Sequence, residues 1–481
     1  MNTAVVSALI AKLTAGCGLV LLLPLLTALF GEEPVLPFIY SMALCFLLSA
    51  FLRYKGKKKV INLNPRDGLA VTALSWICIS ILYLFPYFLS GLLSPLDALV
   101  ESISGLTGTG ATVFSDLTVL PKSILFFRSL THWLGGLGII VIFVALFPQA
   151  GKGSARMIDA ESTGPYSSRA VPRIKEMAKA LFGVYLLFTV SAALIYTLLG
   201  MNFFDAVNHA FSTIATGGFS TKNESIAFYD STPLKLAVIF FMVISSANFG
   251  VYVAAWKRGI HVLWENTEFK VYLSIVAATI LISLNLMLES GLYAPSALLE
   301  ALFTSASLSS TTGFISYDFE TWPHFSQVIL LILMFIGGCG GSTSGGLKVT
   351  RIILLFKSMT AVLRQKLHPR AVIQTRAGGE NFSESMLLEV FCFFFIYTMS
   401  IFLWTALIAA NGADIPSALG LSIATMSNSG PALGQFGATC NWSAMPAMTK
   451  MVVALSMLMG RLESFTLLIL FLPSFWRKNG W

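Results

Sequence analysis

Charge is scarce in this chain. Asp, Glu, Lys and Arg make up 11% of its 481 residues, against 56% hydrophobic, and the mean hydropathy is +0.78. A soluble domain carries about a quarter charged residues, so a surface facing water on all sides is excluded. Histidine is rarer still, five in all, with no metal-like spacing. No Ser/His/Asp or Cys/His arrangement can be assembled, so nothing points to an enzyme. The six cysteines (17, 45, 78, 339, 392 and 440) are scattered, most of them in apolar runs. They form neither a disulfide framework nor a metal set. Arginine-repeat helices of the voltage-sensing kind are missing, and so is the alternation of a β-barrel.

Apolar runs of about 20 residues, the length that crosses a bilayer as helix, are abundant. The fold class is therefore an all-α polytopic membrane protein. Residues 1–30 lack a charged start and a second span follows closely, so they read as an uncleaved first helix rather than a signal peptide. Two spans are expected at about 6–30 and 36–52, joined by the acidic turn Gly31-Glu32-Glu33-Pro34. The net charge of +8 is unevenly spread. Basic residues crowd Arg53 to Arg66, Lys152 to Lys179, Lys257 to Lys270, Lys348 to Arg376 and Arg477-Lys478, while the loops between carry Glu32, Glu33, Asp116, Glu224, Asp230, Asp318, Glu320 and Asp414. This asymmetry places the basic segments, and with them both termini, in the cytoplasm.

Four short stretches organise the remainder: Thr107-Gly108-Thr109-Gly110, Ala215-Thr216-Gly217-Gly218, Ser310-Thr311-Thr312-Gly313 and Ser427-Asn428-Ser429-Gly430. At one fixed distance before each closing glycine stands Asp97-Ala98-Leu99, Asp205-Ala206-Val207, Glu300-Ala301-Leu302 or Ser417-Ala418-Leu419. A serine recurs between them at Ser104, Ser212 and Ser307, with Ala424 in the fourth copy. Four copies in register are an internal repeat. Each unit reads as an outward span (about 69–90, 178–199, 271–290, 385–410), a half-length pore segment, the glycine stretch, and a return span (about 123–148, 234–256, 325–357, 446–472). The pore segments are too short to cross. They read as re-entrant helices, which are tolerated at membrane depth only when buried or lining water. The expected units are 1–66 (N-terminal helix pair), 67–152, 153–258, 259–366 and 367–481.

Ser94-Pro95-Leu96-Asp97 supplies an N-cap, a proline at the first helical position and an acid at the third. Asn202 with Asp205, and Asp414, serve the second and fourth pore segments, whereas the third has Ala297 in that slot. The acids either only stabilise helix starts or also attract cations at the mouth. Half-helices converging on one axis would aim their negative dipole ends at the membrane centre. Glycine at each exit permits positive φ, letting carbonyls turn inward and replace the water shell of an ion. None of the four stretches contains Asp or Glu. That suits K+ held by backbone carbonyls, where Ca2+ or Mg2+ would want anionic oxygens.

These units, with Thr109-Gly110-Ala111-Thr112-Val113, Thr216-Gly217-Gly218-Phe219-Ser220-Thr221 and Thr311-Thr312-Gly313-Phe314, resemble the Trk/Ktr/HKT superfamily of K+ transporters. The extra N-terminal helix pair is most similar to its bacterial TrkH/TrkG branch. The resemblance implies four pseudo-symmetric M1–pore helix–M2 repeats around a central pore, a homodimer, and a cytoplasmic TrkA-type regulatory subunit carrying the nucleotide. It implies K+ as the transported ion, with no organic cofactor in this chain, and a multi-pass protein of the bacterial inner membrane. The fourth stretch departs from the paired asparagines of many relatives. Gly110 stands where Na+-favouring relatives have serine.

The third return span holds six glycines in the ten residues 337–346, each costing roughly 1 kcal/mol relative to alanine in a helix. A continuous helix is not expected there. Gly337, Gly338, Gly340, Gly341, Ser342, Thr343, Ser344, Gly345 and Gly346 either form a loop across the pore, as the family resemblance implies, or allow close helix packing. The stretch is no phosphate loop, since Leu347 separates Gly346 from Lys348 and no strand precedes it. Arg461, amid apolar residues of the fourth return span, is costly at that depth. It either closes a gate with loop 337–346 or pairs structurally with Glu463 or a nearby carbonyl. Arg128 and Lys450 are expected to pair with pore-helix acids such as Glu101, and His209 to be a packing residue. The basic segment 348–376, continuous with the loop, is the expected docking surface for the regulator. The alternative transport reading is a Na+-permeable or Na+/H+-coupled symporter of the same fold.

Overall fold

The computed structural model describes residues 3–56, 65–138, 174–277, 279–370, 376–377, 380–437 and 439–476. Apart from a two-residue ladder between Arg376–Ala377 and Glu380–Asn381, the regular elements described are helical. Among the described residues, six helices are long and apolar enough to cross a membrane: Thr3–Phe30, Leu36–Lys55, Arg66–Leu89, Glu176–Leu198, Thr267–Glu289 and Glu384–Ala409. The first two are the N-terminal pair and the other four are the outward helices. Most of the basic segment Lys152 to Lys179, part of Arg53 to Arg66, and Arg477-Lys478 lie outside the described residues.

The N-terminal pair is pinned to the first repeat by ring packing and by charge. Phe38, Tyr83 and Tyr87 surround Phe127, and the Tyr83 hydroxyl donates to Cys17 O (3.1 Å). Glu33, in the acidic turn, accepts from the backbone N–H of Lys122 (2.7 Å) and Ser123 (2.9 Å). A carboxylate there satisfies orphan donors at the start of the first return helix and sits at its positive dipole end.

The pore helices are Pro95–Thr107, Phe203–Ile214, Ala294–Ser309 and Ile415–Ser427. Ser94, Asn202 and Asp414 cap three of them, accepting from the N–H of Asp97, Asp205 and Ser417. The third begins a turn earlier than expected. Ala297 lies inside it, and Tyr293 precedes it without a side-chain cap.

The return spans depart from the sequence expectation, which broke only the third. The second is two helices, Thr232–Ser245 and Phe249–Arg258, at 90° to one another. The fourth bends by 111° after Ala447–Arg461. The first ends at Gly136, and its expected continuation to 148 lies outside the described residues. The third breaks where the glycines predict, between His324–Ile336 and Val349–Leu367. A Cβ on Gly135 would collide with the Leu106 backbone, and one on Gly460 with the Met426 backbone. Return and pore helices of these units thus approach backbone to backbone, a contact that small residues allow.

Candidate ion pathway

Each pore helix runs out into its glycine stretch through the same conformation. The second and fourth residues of every stretch are left-handed: Gly108 (φ +73°) and Gly110 (+78°), Thr216 (+52°) and Gly218 (+83°), Thr311 (+57°) and Gly313 (+78°), Asn428 (+55°) and Gly430 (+86°). The glycines accept this freely. For the β-branched Thr216 and Thr311 it is an outlier, costing on the order of 1–3 kcal/mol each.

The four stretches meet each other in cyclic order. The Gly110 α-carbon lies against the Gly217 carbonyl, Gly218 against Thr312 O, Gly313 against Ser429 O, and Gly430 against Thr109 O. A chain of four such contacts that returns to its start is a ring. The described segments therefore surround one axis, with backbone oxygens in the third position of each stretch at the junctions.

Side chains behind the ring hold it open. Ser104 donates to Ala111 O (2.6 Å) and Ser307 to Phe314 O (2.7 Å), clasping the residue after the closing glycine. Hydroxyls at the first and third positions bond to one another at Thr107/Thr109 (2.8 Å), Ser310/Thr312 (2.7 Å) and Ser427/Ser429 (3.2 Å). The second stretch has Ala215 and Gly217 there, and His132 fills the space. Its Nε2 accepts from Phe219 N–H (3.2 Å), so Nδ1 carries the proton and donates to Gly105 O (2.6 Å), while the ring stacks on Phe219 at 4.1 Å. His132 was not singled out from the sequence, because nothing local distinguishes it from other residues of an apolar helix.

The acids of the pore helices are all engaged. Glu101 (0% exposed) binds Arg128 (1%) at 2.7 Å, and also accepts from Val113 N–H (2.9 Å) and the Thr112 hydroxyl. Asp97 pairs with Lys450 (2.6 Å), Glu300 with Lys235 (2.7 Å) and Asp205 with Lys222 (3.4 Å). Lys450 and Lys235 belong to the return helix of a neighbouring unit, so these pairs stitch the ring together. They favour the structural reading of the acids over cation attraction at the mouth. His209 is bonded to Asp205 O (2.8 Å) and to Ser220 Oγ (2.9 Å), as a packing residue should be. On the face of the ring away from residues 337–346, a pocket is lined by all four closing glycines and by Lys222, Asn223 and Cys440. Asp116, which accepts from the lining residue Asn223, is held below the usual carboxylate range by hydrogen bonds from Asn223 and Thr118.

Residues 337–346 lie against the second, third and fourth stretches. The loop is closed at its neck by Leu347 N–H to Phe335 O (3.1 Å) and Lys348 N–H to Ile336 O (2.8 Å), which makes it a compact Ω-type excursion. Thr343 donates to Ile214 O (3.1 Å), and the Thr216 hydroxyl donates to Thr343 Oγ1 (3.2 Å). Gly345 N–H donates to Thr311 Oγ1 (2.7 Å), and the Gly345 α-carbon lies against Ser427 O. The strained threonines thus present their hydroxyls to the loop. Arg461 donates through Nη1 to Thr343 O (2.9 Å), and through Nη2 to Gly135 O and Gly136 O (2.8 Å). Glu463, the alternative partner of Arg461, is bound by Arg351 instead (2.6 Å).

Comparison with known proteins agrees with this geometry. The TrkH family of cation transport proteins matches residues 37–478. The chain belongs to the TrkH family. It is 38% identical over 459 residues to the Trk system potassium uptake protein TrkH of Halomonas elongata, covering 94% of this chain and 95% of that one. To TrkG of Escherichia coli K12, also a Trk system potassium uptake protein, it is 33% identical over 462 residues, with 95% of each covered. The crystal structure of the potassium transporter TrkH from Vibrio parahaemolyticus superposes with a TM-score of 0.89 at 35% identity, covering 99% of this chain and 100% of that one. Membership of the TrkH family makes this a multi-pass membrane transporter rather than an enzyme.

The expected filter residues of this TrkH-family chain converge on the ring, and the expected gate residues, Arg461 included, converge beneath it. The roles of Glu33, His132 and Arg351, and of Glu268, described below, escaped sequence reasoning. Each works through partners far away in the chain.

Proposed function

We propose that this chain is the pore-forming subunit of a Trk-type system that takes up K+ across the bacterial inner membrane, with both termini in the cytoplasm. The single observation that carries this reading is the closed ring of four left-handed glycines, which brings backbone oxygens together with no carboxylate among them. Such a ring replaces the hydration shell of a large monovalent cation. The selectivity filter is assigned to Thr107 to Gly110, Ala215 to Gly218, Ser310 to Gly313 and Ser427 to Gly430, in units spanning 67–152, 153–258, 259–366 and 367–481. The gate is assigned to loop 337–346 with Arg461, whose guanidinium adds positive charge below the filter and bonds the loop in place. A homodimer and a TrkA-like nucleotide-binding subunit docked on 348–376 complete the assembly.

Reconstitution into proteoliposomes tests this reading, with uptake of K+, Rb+, Na+ and Li+ compared. K+ and Rb+ are expected to pass well ahead of Na+ and Li+. Equal passage of Na+, or K+ uptake that requires a Na+ or proton gradient, would support the symporter alternative. Replacing Arg461 by Ala is expected to raise resting K+ flux in folded protein, and unchanged or lower flux would refute the gate.

A further inference from the structure

The gating loop is held from a second side by a charged residue that no part of the filter uses. Glu268 lies at the start of the third outward helix, and its carboxylate is buried. Oε1 accepts from the backbone N–H of Gly340 (2.6 Å), from the N–H of Thr350 (3.1 Å) and from the Thr350 hydroxyl. Gly340 belongs to the loop. Thr350 is in the first turn of the helix Val349–Leu367, which carries the basic residues Lys357, Arg364 and Lys366 toward the cytoplasm. That helix has no cap of its own, because Lys348 occupies the N-cap position at φ +80° and makes no side-chain cap bond. Glu268 supplies the missing acceptor from another helix, at the positive end of the dipole.

One carboxylate oxygen therefore ties together a fixed outward helix, the gating loop and the root of a cytoplasmic helix. Arg461 on Thr343 and Lys348, which donates to Ser344 O within the same segment, also bond the loop. Hydrogen bonds to an ionised group are the strong ones. We propose that Glu268 is the positioning residue that latches the loop closed and releases it when Val349–Leu367 moves. Withdrawal of Thr350 strips the carboxylate of two of its donors and so loosens its hold on Gly340. The inference rests on the gate reading above and adds the connection by which the cytoplasmic helix reaches the loop.

Resting Rb+ uptake by the full chain in proteoliposomes decides it. Glu268→Ala and Thr350→Val are each expected to raise resting uptake by about tenfold, the factor expected for losing a hydrogen bond to a charged group. Glu268→Gln is expected to fall between, since its amide oxygen still receives Gly340 N–H. The Rb+/Na+ ratio should stay at the unsubstituted value in all three, which general loosening of the fold would not allow. Arg461→Ala serves as the reference. If it opens the resting pore while Glu268→Ala and Thr350→Val do not, the latch is refuted and the gate stands. If Arg461→Ala also leaves uptake unchanged, the gate reading falls and the latch with it. Should Glu268→Ala fail to fold, Thr350→Val, which buries no new charge, decides alone.

Discussion

Replacing Gly110 by Ala tests the ring directly. Its φ of +78° costs an L-residue roughly 1–2 kcal/mol. The new Cβ would also stand closer than 3.0 Å to the Gly217 carbonyl oxygen, a separation real Cβ atoms essentially never show. The obstacle is backbone, so relief requires moving a carbonyl of the ring itself. If only about 1.4 kcal/mol of this disturbance reaches the preference for K+ over Na+, selectivity falls tenfold. Gly91 provides an internal control. Its φ is +72° but nothing lies within 4 Å of its would-be Cβ, so Gly91→Ala carries the conformational cost without the collision. The assay is Rb+ against Na+ uptake in proteoliposomes, together with thermal melting in detergent. Gly110→Ala should lose selectivity at least tenfold while Gly91→Ala keeps it, with melting lowered in both. A Gly110→Ala protein that keeps the unsubstituted ratio, and melts like Gly91→Ala, would refute the ring as the site of selection.

Arg128→Met leaves the Glu101 carboxylate buried without its guanidinium and should lower stability by about 3–5 kcal/mol; the double variant with Glu101→Gln should recover most of it, as thermal melts would show. Cys440 is exposed and lines the pocket over the ring, whereas Cys392 is exposed on an outward helix. A cationic methanethiosulfonate should therefore inhibit K+ flux, and Cys440→Ser, not Cys392→Ser, should abolish the inhibition. Glu33→Gln keeps an acceptor for only one of the Lys122 and Ser123 N–H groups and loses the charge at the helix start, so a loss of about 1–2 kcal/mol is expected in the same melts.

The four-unit plan was legible because every copy needs the same backbone device in the same place. A left-handed residue closing each stretch demands glycine, and glycine shows in a sequence. The left-handed second positions, Gly108, Thr216, Thr311 and Asn428, were not legible as a set, since Thr216 and Thr311 are β-branched residues that ordinarily avoid that conformation. They adopt it because the loop and neighbouring stretches bond their side chains. The breaks in the second and fourth return helices were foreshadowed only weakly, by Ser245-Ser246-Ala247-Asn248 and by Gly460. Neither pattern exceeds what a continuous membrane helix tolerates. The pairing of Arg461 with Thr343 rather than Glu463 could not be read from adjacency, because Arg351 reaches Glu463 first.

By itself, then, the amino-acid order determined the membrane class, the four short helices with their glycine stretches, the caps of three of them and the glycine-rich interruption. All of these follow from local composition, from periodicity, and from the backbone freedom that only glycine has. The tertiary structure alone decided which carbonyl faces which glycine, how the acids of the pore helices are paired, and that Arg461 and Glu268 both bond to one loop. Those outcomes depend on residues a hundred or more positions apart sharing a few ångströms. A buried charge settles on whichever partner the packing brings within reach.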